Sequence, residues 1–417
     1  TLQNGYSDNW GGAIVCGSNS DLTIKHSIIK NSYAGQGGGA INSNRSKLTL
    51  KNVQFIENSS EGAGGVNAGS TDENYTAEIS ITDCEFISNT ALNGGGGASL
   101  GWGTANVELA NTKFVENHAG YYGGVGIWSD FSVDSCYFMN NTTEYYAAGG
   151  GFSSGASGTI SNSVFANNIA NLVGNDEVNS GGLTIWTNAD VNVVNCTFVG
   201  NSAASGGGLS VGNGGHATVR NSIFYNNSPD QLGLEQWEGN CASLDVDYCL
   251  VEEGADSVHF DTTSCVLTWG NSNLDANPLF CDPDSGDYTL AENSPCIGSG
   301  ENGANMGAFG VGCEAILSID KDAIPLQYTL HQNYPNPFNP VTTLRYDIPE
   351  NSHVTITIYD MLGRQVKTLI NQTQNSGYRS VIWDATNDLG QPVSAGIYLY
   401  TIQAGDFRQT KKMVLLK

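Results

Sequence analysis

The chain has 417 residues, a net charge of −25 and 53 glycines, and only 14% of its residues are charged. Residues 1–324 carry 8 Lys and Arg against 35 Asp and Glu, a balance of −27, whereas residues 325–417 carry 8 against 6, a balance of +2. This composition argues against a helical bundle and against a disordered chain, and the acidic surface excludes nucleic acid and polyanionic polysaccharides as partners.

The chain opens on Thr1, without Met and without the pattern of a signal peptide, which indicates a processed product or a fragment. No apolar run approaches the roughly 18 residues that a membrane-spanning helix needs. Short alternating segments, such as residues 22–24 and 48–50, recur instead between turn-forming residues. Each repeat therefore predicts three short strands and three turns.

One pattern occurs eight times in the first 230 residues: a hydrophobic residue, an Asn three positions later, a polar loop and, in most copies, a glycine run. The hydrophobic residues are Ile28, Phe55, Phe86, Phe114, Phe138, Phe165, Phe198 and Phe224. The Asn residues are Asn31, Asn58, Asn89, Asn117, Asn141, Asn168, Asn201 and Asn227. Such a period is typical of a solenoid. Strands that stack on their own copies are parallel and about 4.8 Å apart, so we expect a right-handed parallel β-helix.

The repeated residues have a structural interpretation. We expect the Phe rings to stack inside the coil. The Asn residues are expected to adopt the left-handed backbone conformation at a turn, and their side chains to hydrogen-bond along the axis. We therefore interpret this ladder as internal scaffold and not as an active site.

The cysteines fall into two groups. Cys84, Cys136 and Cys196 share one inward column, but Cys84 and Cys136 lie two coils (about 10 Å) apart, which exceeds the roughly 7 Å that a disulfide allows. Six others follow the ladder and suggest up to three disulfides in any of 15 pairings, with a zinc site as the less favoured alternative. They are Cys241, Cys249, Cys265, Cys281, Cys296 and Cys313.

Residues 273–313 contain the segments Asn-Pro-Leu-Phe, Gly-Asp-Tyr-Thr-Leu, Ser-Pro-Cys-Ile and Met-Gly-Ala-Phe. With the repeat, this part resembles the closing rungs of secreted bacterial β-helix proteins of the pectin-lyase-like and polymorphic-outer-membrane-repeat-like group. The resemblance covers residues 1–313 and implies the fold. It leaves function open, because that fold carries lyases, hydrolases, adhesins and inert scaffolds.

A connector at 314–326 leads to six or seven short alternating segments in residues 327–417, which predict an immunoglobulin-like β-sandwich. Its opening Tyr-Pro-Asn-Pro-Phe-Asn-Pro at 334–340, Tyr-Asp-Met-Leu-Gly-Arg at 359–364 and terminal Lys-Lys-Met-Val-Leu-Leu-Lys closely resemble the type A C-terminal sorting domain of the type IX secretion system. The resemblance implies recognition of residues 327–417 by the secretion translocon, and an extracellular or outer-membrane-surface location in a Bacteroidota-like bacterium. It also implies that such domains are usually removed after export, whereas this chain retains its own.

Candidate chemistry is sparse. A β-helix lyase needs a cationic base with Ca²⁺, and the acidic solenoid has almost no cations. A glycoside hydrolase needs two or three carboxylates on one face. The candidate pairs are Asp130 with Asp134, Asp176 with Glu177, and Asp245 with Asp247, and solvated surface acids are the favoured alternative. The histidines, namely His118, His216 and His259, have no spacing that indicates a triad or a metal.

Two further groups are candidate binding sites. Asp282, Asp284 and Asp287 crowd one turn, which would suit Ca²⁺, although turn chemistry alone also explains them. Exposed aromatic residues would suit sugar stacking or a protein contact, although they would also cover glycine-rich corners. These are Trp102, Tyr121, Tyr122, Trp128, Tyr145, Tyr146 and Trp186.

The sequence therefore supports two functional hypotheses. The favoured one is a secreted, non-catalytic scaffold without a resident cofactor beyond the candidate Ca²⁺. It would act as an adhesin for a glycan or another surface ligand, or would self-assemble head-to-tail into filaments through its open end. The alternative is a secreted carbohydrate-active enzyme on a β-helix, either a glycoside hydrolase or a polysaccharide lyase.

Overall fold

The computed structural model describes residues 1–17, 19–72, 74–170, 180–261, 264–316, 325 and 327–416. The chain folds as two units, Thr1–Ile316 and Leu317–Lys417. Within the described residues the regular structure is β-strand apart from three 3₁₀ turns, at Gly254–Ser257, Pro283–Ser285 and Glu301–Gly303. None of the described helices is long or apolar enough to span a membrane.

The first unit is a parallel β-helix built from three long sheets, in each of which a strand pairs with its counterpart in the next coil. Sheet 1 has 18 strands, usually two per coil, and the two are separated by two residues, the first of which has a positive φ, as at Asp83 and Asn111. Its strands are Leu2–Gln3, Asp21–Lys30, Lys47–Ile56, Ala77–Thr82, Glu85–Ile87, Ala105–Ala110, Lys113–Val115, Asp130–Asp134, Tyr137–Met139, Ser157–Ser161, Val164–Ala166, Asp190–Val194, Thr197–Val199, His216–Arg220, Ile223–Tyr225, Ser243–Asp247, Leu250–Val251 and Val266–Trp269.

Sheets 2 and 3 complete each coil. Sheet 2 consists of Tyr6–Ser7, Tyr33–Ala34, Ser59–Ser60, Thr90–Ala91, His118–Ala119, Thr142–Thr143 and Ile169–Ala170. Sheet 3 consists of Ile14–Cys16, Ile41–Asn44, Val66–Ser70, Ala98–Gly103, Val125–Ile127, Gly150–Phe152, Leu183–Ile185, Leu209–Val211, Leu232–Leu234 and Val258–Phe260. A two-stranded hairpin, Gln236–Trp237 with Asn240–Cys241, follows sheet 3 near its end.

The core of the β-helix contains two stacked columns. The seven Phe rings from Phe55 to Phe224 stack with neighbouring centroids 4.5–5.1 Å apart. Beside them, each ladder Asn from Asn58 to Asn201 donates from its amide to the Oδ1 of the Asn one coil on and to a carbonyl one coil back, and Asn227 at the end of the ladder donates to the Gln231 Oε1 instead. For Asn89 these bonds are 3.0 Å to Asn117 and 2.9 Å to the Phe55 carbonyl. The ladder satisfies buried polar groups that would otherwise destabilise the fold.

The register at the start of the ladder differs from the expectation by one residue. Ile29, and not Ile28, lies opposite Phe55, and Ser32 occupies the column of the Asn side chains, where its backbone N–H donates to the Asn58 Oδ1 at 3.1 Å. Asn31 is exposed and lies outside the ladder. Asn31 instead has a positive φ of 52° and supplies the outward-facing corner.

The ladder Asn residues also do not adopt the left-handed backbone conformation that the sequence predicted for them. In the later copies the left-handed residue is the one that precedes the ladder Asn, for example Glu57 before Asn58 and Asn140 before Asn141. The ladder Asn must direct its side chain inward to reach the next coil, whereas the corner residue faces outward. Polar residues of several types therefore occupy the corner.

Residues 276–313, here called the fold-back segment, do not form closing rungs as expected. The last bridge to the coil joins Leu274 to Leu250. The fold-back segment then forms its own small sheet from Phe280–Asp282, Asp287–Ala291 and Val311–Cys313. It covers outward apolar residues of sheet 1, among them Val164, Val199 and Ile223, and the Gly307 N–H donates to the Asn221 carbonyl at 2.7 Å. The segment therefore shields these apolar side chains from solvent.

The described residues include all ten cysteines and contain one disulfide, between Cys281 and Cys313, which closes the small sheet of the fold-back segment. The other four predicted candidates, Cys241, Cys249, Cys265 and Cys296, are free thiols. Cys249 belongs to the inward column of the coil, where its sulfur accepts from the Ser222 N–H at 3.4 Å. Cys84, Cys136 and Cys196 are buried free thiols in the same column, as expected.

The second unit is an antiparallel β-sandwich of two sheets. One sheet contains Thr329–Leu330, Thr342–Ile348 and Gly377–Trp383, and the other contains Ser352–Asp360, Gln365–Gln374, Gly396–Ala404 and Phe407–Leu415. Side chains from both sheets share one core that includes Tyr346, Trp383 and Tyr400. Most of the predicted connector, 317–324 and 326, lies outside the described residues.

Candidate functional site

Four of the predicted aromatic residues form one cluster at the corner between sheets 2 and 3. The Tyr121 ring lies 5.8 Å from that of Tyr145 and 5.2 Å from that of Tyr146, and the Tyr122 ring lies 6.1 Å from that of Tyr146. Trp128 lies next to these four tyrosines, with its ring edge-on to that of Tyr122 and the two centroids 5.5 Å apart. We call Tyr121, Tyr122, Tyr145 and Tyr146 the tyrosine cluster.

The cluster has a buried base and an accessible top. Tyr122 is buried, and burial raises the pKa of its phenol above the usual value. Tyr121 is 38% exposed, and Tyr145 and Tyr146 are half-buried. Three partly accessible rings therefore lie close together at this corner of the coil, with those of Tyr145 and Tyr146 tilted against the Tyr121 ring.

The outward glycines of sheet 3 and its following turns make room for the aromatic rings. A Cβ atom at Gly151 would lie 2.0 Å from the Tyr122 ring, and one at Gly126 would lie 2.5 Å from the Trp128 ring. Likewise, a Cβ atom at Gly212 would lie 1.8 Å from the Trp186 ring, and one at Gly69 would lie 2.7 Å from the Trp102 ring. The tryptophans thus cover glycine backbone, which is the alternative role that the sequence allowed.

Trp102 and Trp186 do not join the tyrosine cluster. Trp186 is half-buried, and its nearest aromatic neighbour is Trp237, with ring centroids 6.4 Å apart. Trp237 is exposed, and the sequence analysis did not single it out. Trp102 is half-buried against Gly69.

We expect Gly151→Ala to destabilise the chain by about 2 kcal/mol, because the new methyl group would displace the Tyr122 ring from a packed site. Gly150→Ala is the matched control, since a Cβ there meets its nearest atoms at 3.5 Å, an ordinary contact. Urea unfolding followed by circular dichroism measures both. Equal midpoints for the two variants would contradict the proposed role of Gly151.

Two of the predicted carboxylate pairs lie in the described part of the chain, on the strands Asp130–Asp134 and Ser243–Asp247. Asp130 and Asp134 lie at opposite ends of one strand, so about 13 Å separates their Cα atoms. Hydrogen bonds from Ser161 (2.6 Å) and Asn162 (2.7 Å) lower the pKa of Asp134. Asp247 Oδ1 accepts the N–H groups of Tyr248 and Ser272 at a corner of the coil. Asp176 and Glu177 lie outside the described residues.

Each of the three histidines considered in the sequence lies beside a polar or acidic side chain. His118 hydrogen-bonds to Thr142 at 2.8 Å, His216 hydrogen-bonds to Ser243 at 2.8 Å, and His259 lies 3.9 Å from Asp230. Burial lowers the pKa of His118.

The three aspartates of the candidate calcium turn flank the 3₁₀ turn Pro283–Ser285 or lie within it. The Asp287 carboxylate accepts from the Thr289 N–H at 3.0 Å and from the Thr289 hydroxyl at 2.5 Å. In the part of the chain that the structure describes, no group of three or more His, Cys, Asp or Glu residues is arranged to hold a metal. Calcium at Asp282, Asp284 and Asp287 stays a prediction.

One unusual acid, Glu235, is not among the residues predicted from the sequence and follows the strand Leu232–Leu234. Its side chain is 3% exposed and accepts a hydrogen bond from the Ser205 hydroxyl at 2.8 Å. Burial raises its pKa to about 7, and Asp261 on the next coil adds to the increase. Alternation along the strand predicts only that Glu235 points outward. Its burial depends on a loop of the preceding coil, which local pattern does not show.

We expect the free energy of unfolding to fall by about 3 kcal/mol as pH rises from 4.5 to 7, through Glu235 alone. The sign follows because the folded state holds this proton more tightly than the unfolded chain, whose Glu titrates near 4.5. Glu235→Gln should remove this pH dependence, whereas the exposed control Glu108→Gln should keep it. Urea titrations at several pH values measure the difference, and identical pH profiles for the wild type and Glu235→Gln would refute the assignment.

Comparison with known proteins places the second unit in a family. Residues 332–416 match the model of the secretion system C-terminal sorting domain. The chain therefore carries a type IX sorting domain, which indicates secretion or a cell-surface location in a Bacteroidota-type bacterium. No curated protein matches the chain.

Three solved structures are similar to parts of the chain. Latent PorU from Porphyromonas gingivalis is 21% identical over 26% of this chain and 10% of its own, with a TM-score of 0.19. PorZ, a surface component of the type IX secretion system of the same bacterium, is 17% identical over 24% and 12%, with a TM-score of 0.17. The enzymatically active domain of tailspike protein 4 from bacteriophage CBA120 is 10% identical over 93% and 63%, with a TM-score of 0.26. The chain thus spans about a tenth of the first two proteins and less than two thirds of the third.

Proposed function

We propose that this chain, which its sorting domain directs out of the cell, is a non-catalytic scaffold that binds an extracellular ligand through the tyrosine cluster. The observation that carries the proposal is the close grouping of three tyrosine rings. The centroid of the Tyr121 ring lies 5.8 Å from that of Tyr145 and 5.2 Å from that of Tyr146. Three partly accessible rings offer both apolar faces and hydroxyl groups. Such surfaces suit the apolar face of a sugar ring together with its hydroxyls.

Rigidity supports this proposal. Isolated β-bridges join Gly95 to Tyr122 and Tyr122 to Ala147, so the backbone that carries the cluster is paired with the neighbouring coils. Tyrosine loses little side-chain entropy on binding, and a preorganised surface avoids much of the ordering cost of association. A rigid tyrosine surface therefore favours binding even of a ligand that makes few contacts.

The charge of the first unit restricts the ligand. Between Lys113 and Lys321 the only Lys or Arg is Arg220, and the solenoid carries a large excess of Asp and Glu. Polyanionic polysaccharides would be repelled by this field. The ligand class that fits best is a neutral glycan.

Affinity electrophoresis with two soluble neutral polysaccharides, galactomannan and xyloglucan, tests the proposal. We expect retardation of the wild type by at least one of them, and at least a tenfold loss of affinity in a variant with Tyr121, Tyr145 and Tyr146 all changed to Ala. Tyr378→Ala, an exposed tyrosine of the second unit, is the control and should bind as the wild type does. Equal retardation of the triple variant and the wild type would refute the role of the cluster, and absence of binding to either glycan would refute the ligand class.

A second candidate function is self-assembly, and the first coil favours it. Among the described residues, the first strand of each long sheet pairs with the second coil, and Leu2, Tyr6 and Val15 on these strands are 47%, 69% and 60% exposed. Stacking of a second copy against these residues would extend all three sheets and generate an open filament. The C-terminal sandwich is a further candidate contact for such head-to-tail growth.

Sedimentation velocity over a hundredfold range of concentration tests self-assembly. Concentration-dependent growth that Val15→Glu abolishes would support it. A chain that stays monomeric over the whole range would refute it.

A further inference from the structure

Two free cysteines lie on neighbouring coils at the end of sheet 1. Ser243 pairs with Val266, and the Val266 N–H donates to the Ala242 carbonyl at 3.1 Å. Cys241 and Cys265 are therefore displaced by about one residue along adjacent parallel strands. A strand spacing of about 4.8 Å and a rise of about 3.3 Å place their Cα atoms about 6 Å apart, within the roughly 4.4–6.8 Å of disulfides.

The two side chains also share surroundings. Cys265 is buried in the core of the coil, and the partly buried Cys241 packs against the same core. The thiol of Cys241 lies close enough to that of Cys265 to contribute, after burial, to a Cys265 pKa raised to about 11. The Cys265 thiol also donates to the Glu235 carbonyl at 3.6 Å, which directs it toward the corner where Cys241 lies.

The inward cysteine column does not offer such a pair. Thr112, Ser163 and Ser222 occupy the coils between successive cysteines of this column, and each of these hydroxyls accepts a backbone N–H from the preceding coil. Neighbouring thiols of the column are thus two coils, or about 10 Å, apart, which is beyond disulfide reach. Cys296 lies buried in the fold-back segment, away from that column.

We propose that Cys241 and Cys265 form a second disulfide in the exported chain. The inference rests on the sorting domain, which directs the chain to an oxidising environment, and not on the ligand-binding proposal. The bond would tie the hairpin that ends at Cys241 to the last strand of sheet 1, Val266–Trp269. It would therefore link the final coil covalently to the coil before it.

The oxidant would be the disulfide of a thiol–disulfide exchange protein. The more accessible Cys241, as its thiolate, attacks one oxidant sulfur, forms a mixed disulfide and releases the other oxidant sulfur as a thiolate. The Cys265 thiolate then displaces the oxidant from Cys241. Two cysteine thiols lose two protons and two electrons in total, and the oxidant leaves as a dithiol.

Counting of thiols tests the proposal. The full chain, produced in an oxidising secretory compartment, is denatured in guanidinium with excess N-ethylmaleimide and no reductant, and its intact mass is measured. We expect six labels, because ten cysteines less the four of two disulfides leave six. Peptide mapping should then recover a peptide that links Cys241 to Cys265. Eight labels that include both residues, or a link of either one to another cysteine, would overturn the assignment.

Two variants guard against a folding artefact. Cys241→Ser should carry seven labels, with Cys265 now labelled, and its thermal midpoint should fall. Cys296→Ser should carry five labels and retain the link between Cys241 and Cys265. If Cys241→Ser leaves Cys265 unlabelled in the folded monomeric fraction, Cys265 has a different partner and the pairing is wrong.

Discussion

Replacement of Asn141 by Leu is expected to lower the free energy of unfolding by about 4 kcal/mol or more. The Asn141 amide donates to the Phe114 carbonyl at 2.8 Å and to the Asn168 Oδ1 at 3.0 Å. Its own Oδ1 accepts the backbone and side-chain N–H groups of Asn117, each at 3.0 Å. A Leu side chain would leave these buried partners unsatisfied, and each such loss costs about 1–3 kcal/mol.

The matched control is Asn106→Ala, which removes an exposed hydrogen bond to Glu78 and should change stability by less than about 0.5 kcal/mol. Urea unfolding followed by circular dichroism compares the two variants. If Asn141→Leu is as stable as Asn106→Ala, the ladder does not stabilise the coil as described here.

Phe138→Ala should cost about 4 kcal/mol, because it removes a fully buried ring from the middle of the stack and leaves a cavity. The Phe138 ring lies 5.1 Å from that of Phe114 and 4.6 Å from that of Phe165. At the start of the stack, Phe55 has one aromatic neighbour, Phe86 at 4.6 Å, and Ile29 lies opposite it on the other side. Phe55→Ala should therefore cost about 1 kcal/mol less than Phe138→Ala, the contribution of one aromatic contact.

The comparison of the two variants is the test, since both remove the same buried side chain. Denaturant midpoints for Phe138→Ala, Phe55→Ala and the conservative Phe138→Leu supply it. Equal losses for the central and terminal alanine variants would mean that ring contact between coils adds nothing beyond burial.

The sequence predicts the β-helix and the C-terminal sandwich because both depend on repeated local patterns. Each Phe and Asn recurs once per coil, so a wrong assignment in one copy does not change the predicted architecture. The register of the first copy was wrong by one residue because Ile28 and Ile29 are both apolar, and only pairing with Phe55 distinguishes them. Asn31 fits the spacing but lies at the exposed corner.

Features that depend on contacts between distant segments could not be predicted. The fold-back segment has the strand and turn signals of a rung, and its packing on Val199 and Ile223 becomes visible only in three dimensions. Glu235 is buried through a contact with Ser205, 30 residues earlier in the chain. The aromatic residues were predicted to face outward, but their division into tryptophans that cover glycine and tyrosines that form a cluster depends on the coil register.

The distribution of side chains supports the proposed function, which is binding without catalysis. The accessible tyrosines and the buried acid Glu235 are separate features of the coil, and Glu235 is nearly closed to solvent. A bound glycan would thus contact rings and hydroxyls. The enzymatic alternative requires that Glu235, with Asp261 on the adjacent coil, become accessible to a substrate.

One measurement on a single sample distinguishes the two functions. The full chain is incubated with galactomannan or xyloglucan, whichever it binds, and bound polysaccharide and new reducing ends are measured over several hours. We predict stable binding that depends on the tyrosine cluster, without any increase in reducing ends over a protein-free control. A steady release of reducing ends that Glu235→Gln abolishes would contradict the non-catalytic assignment.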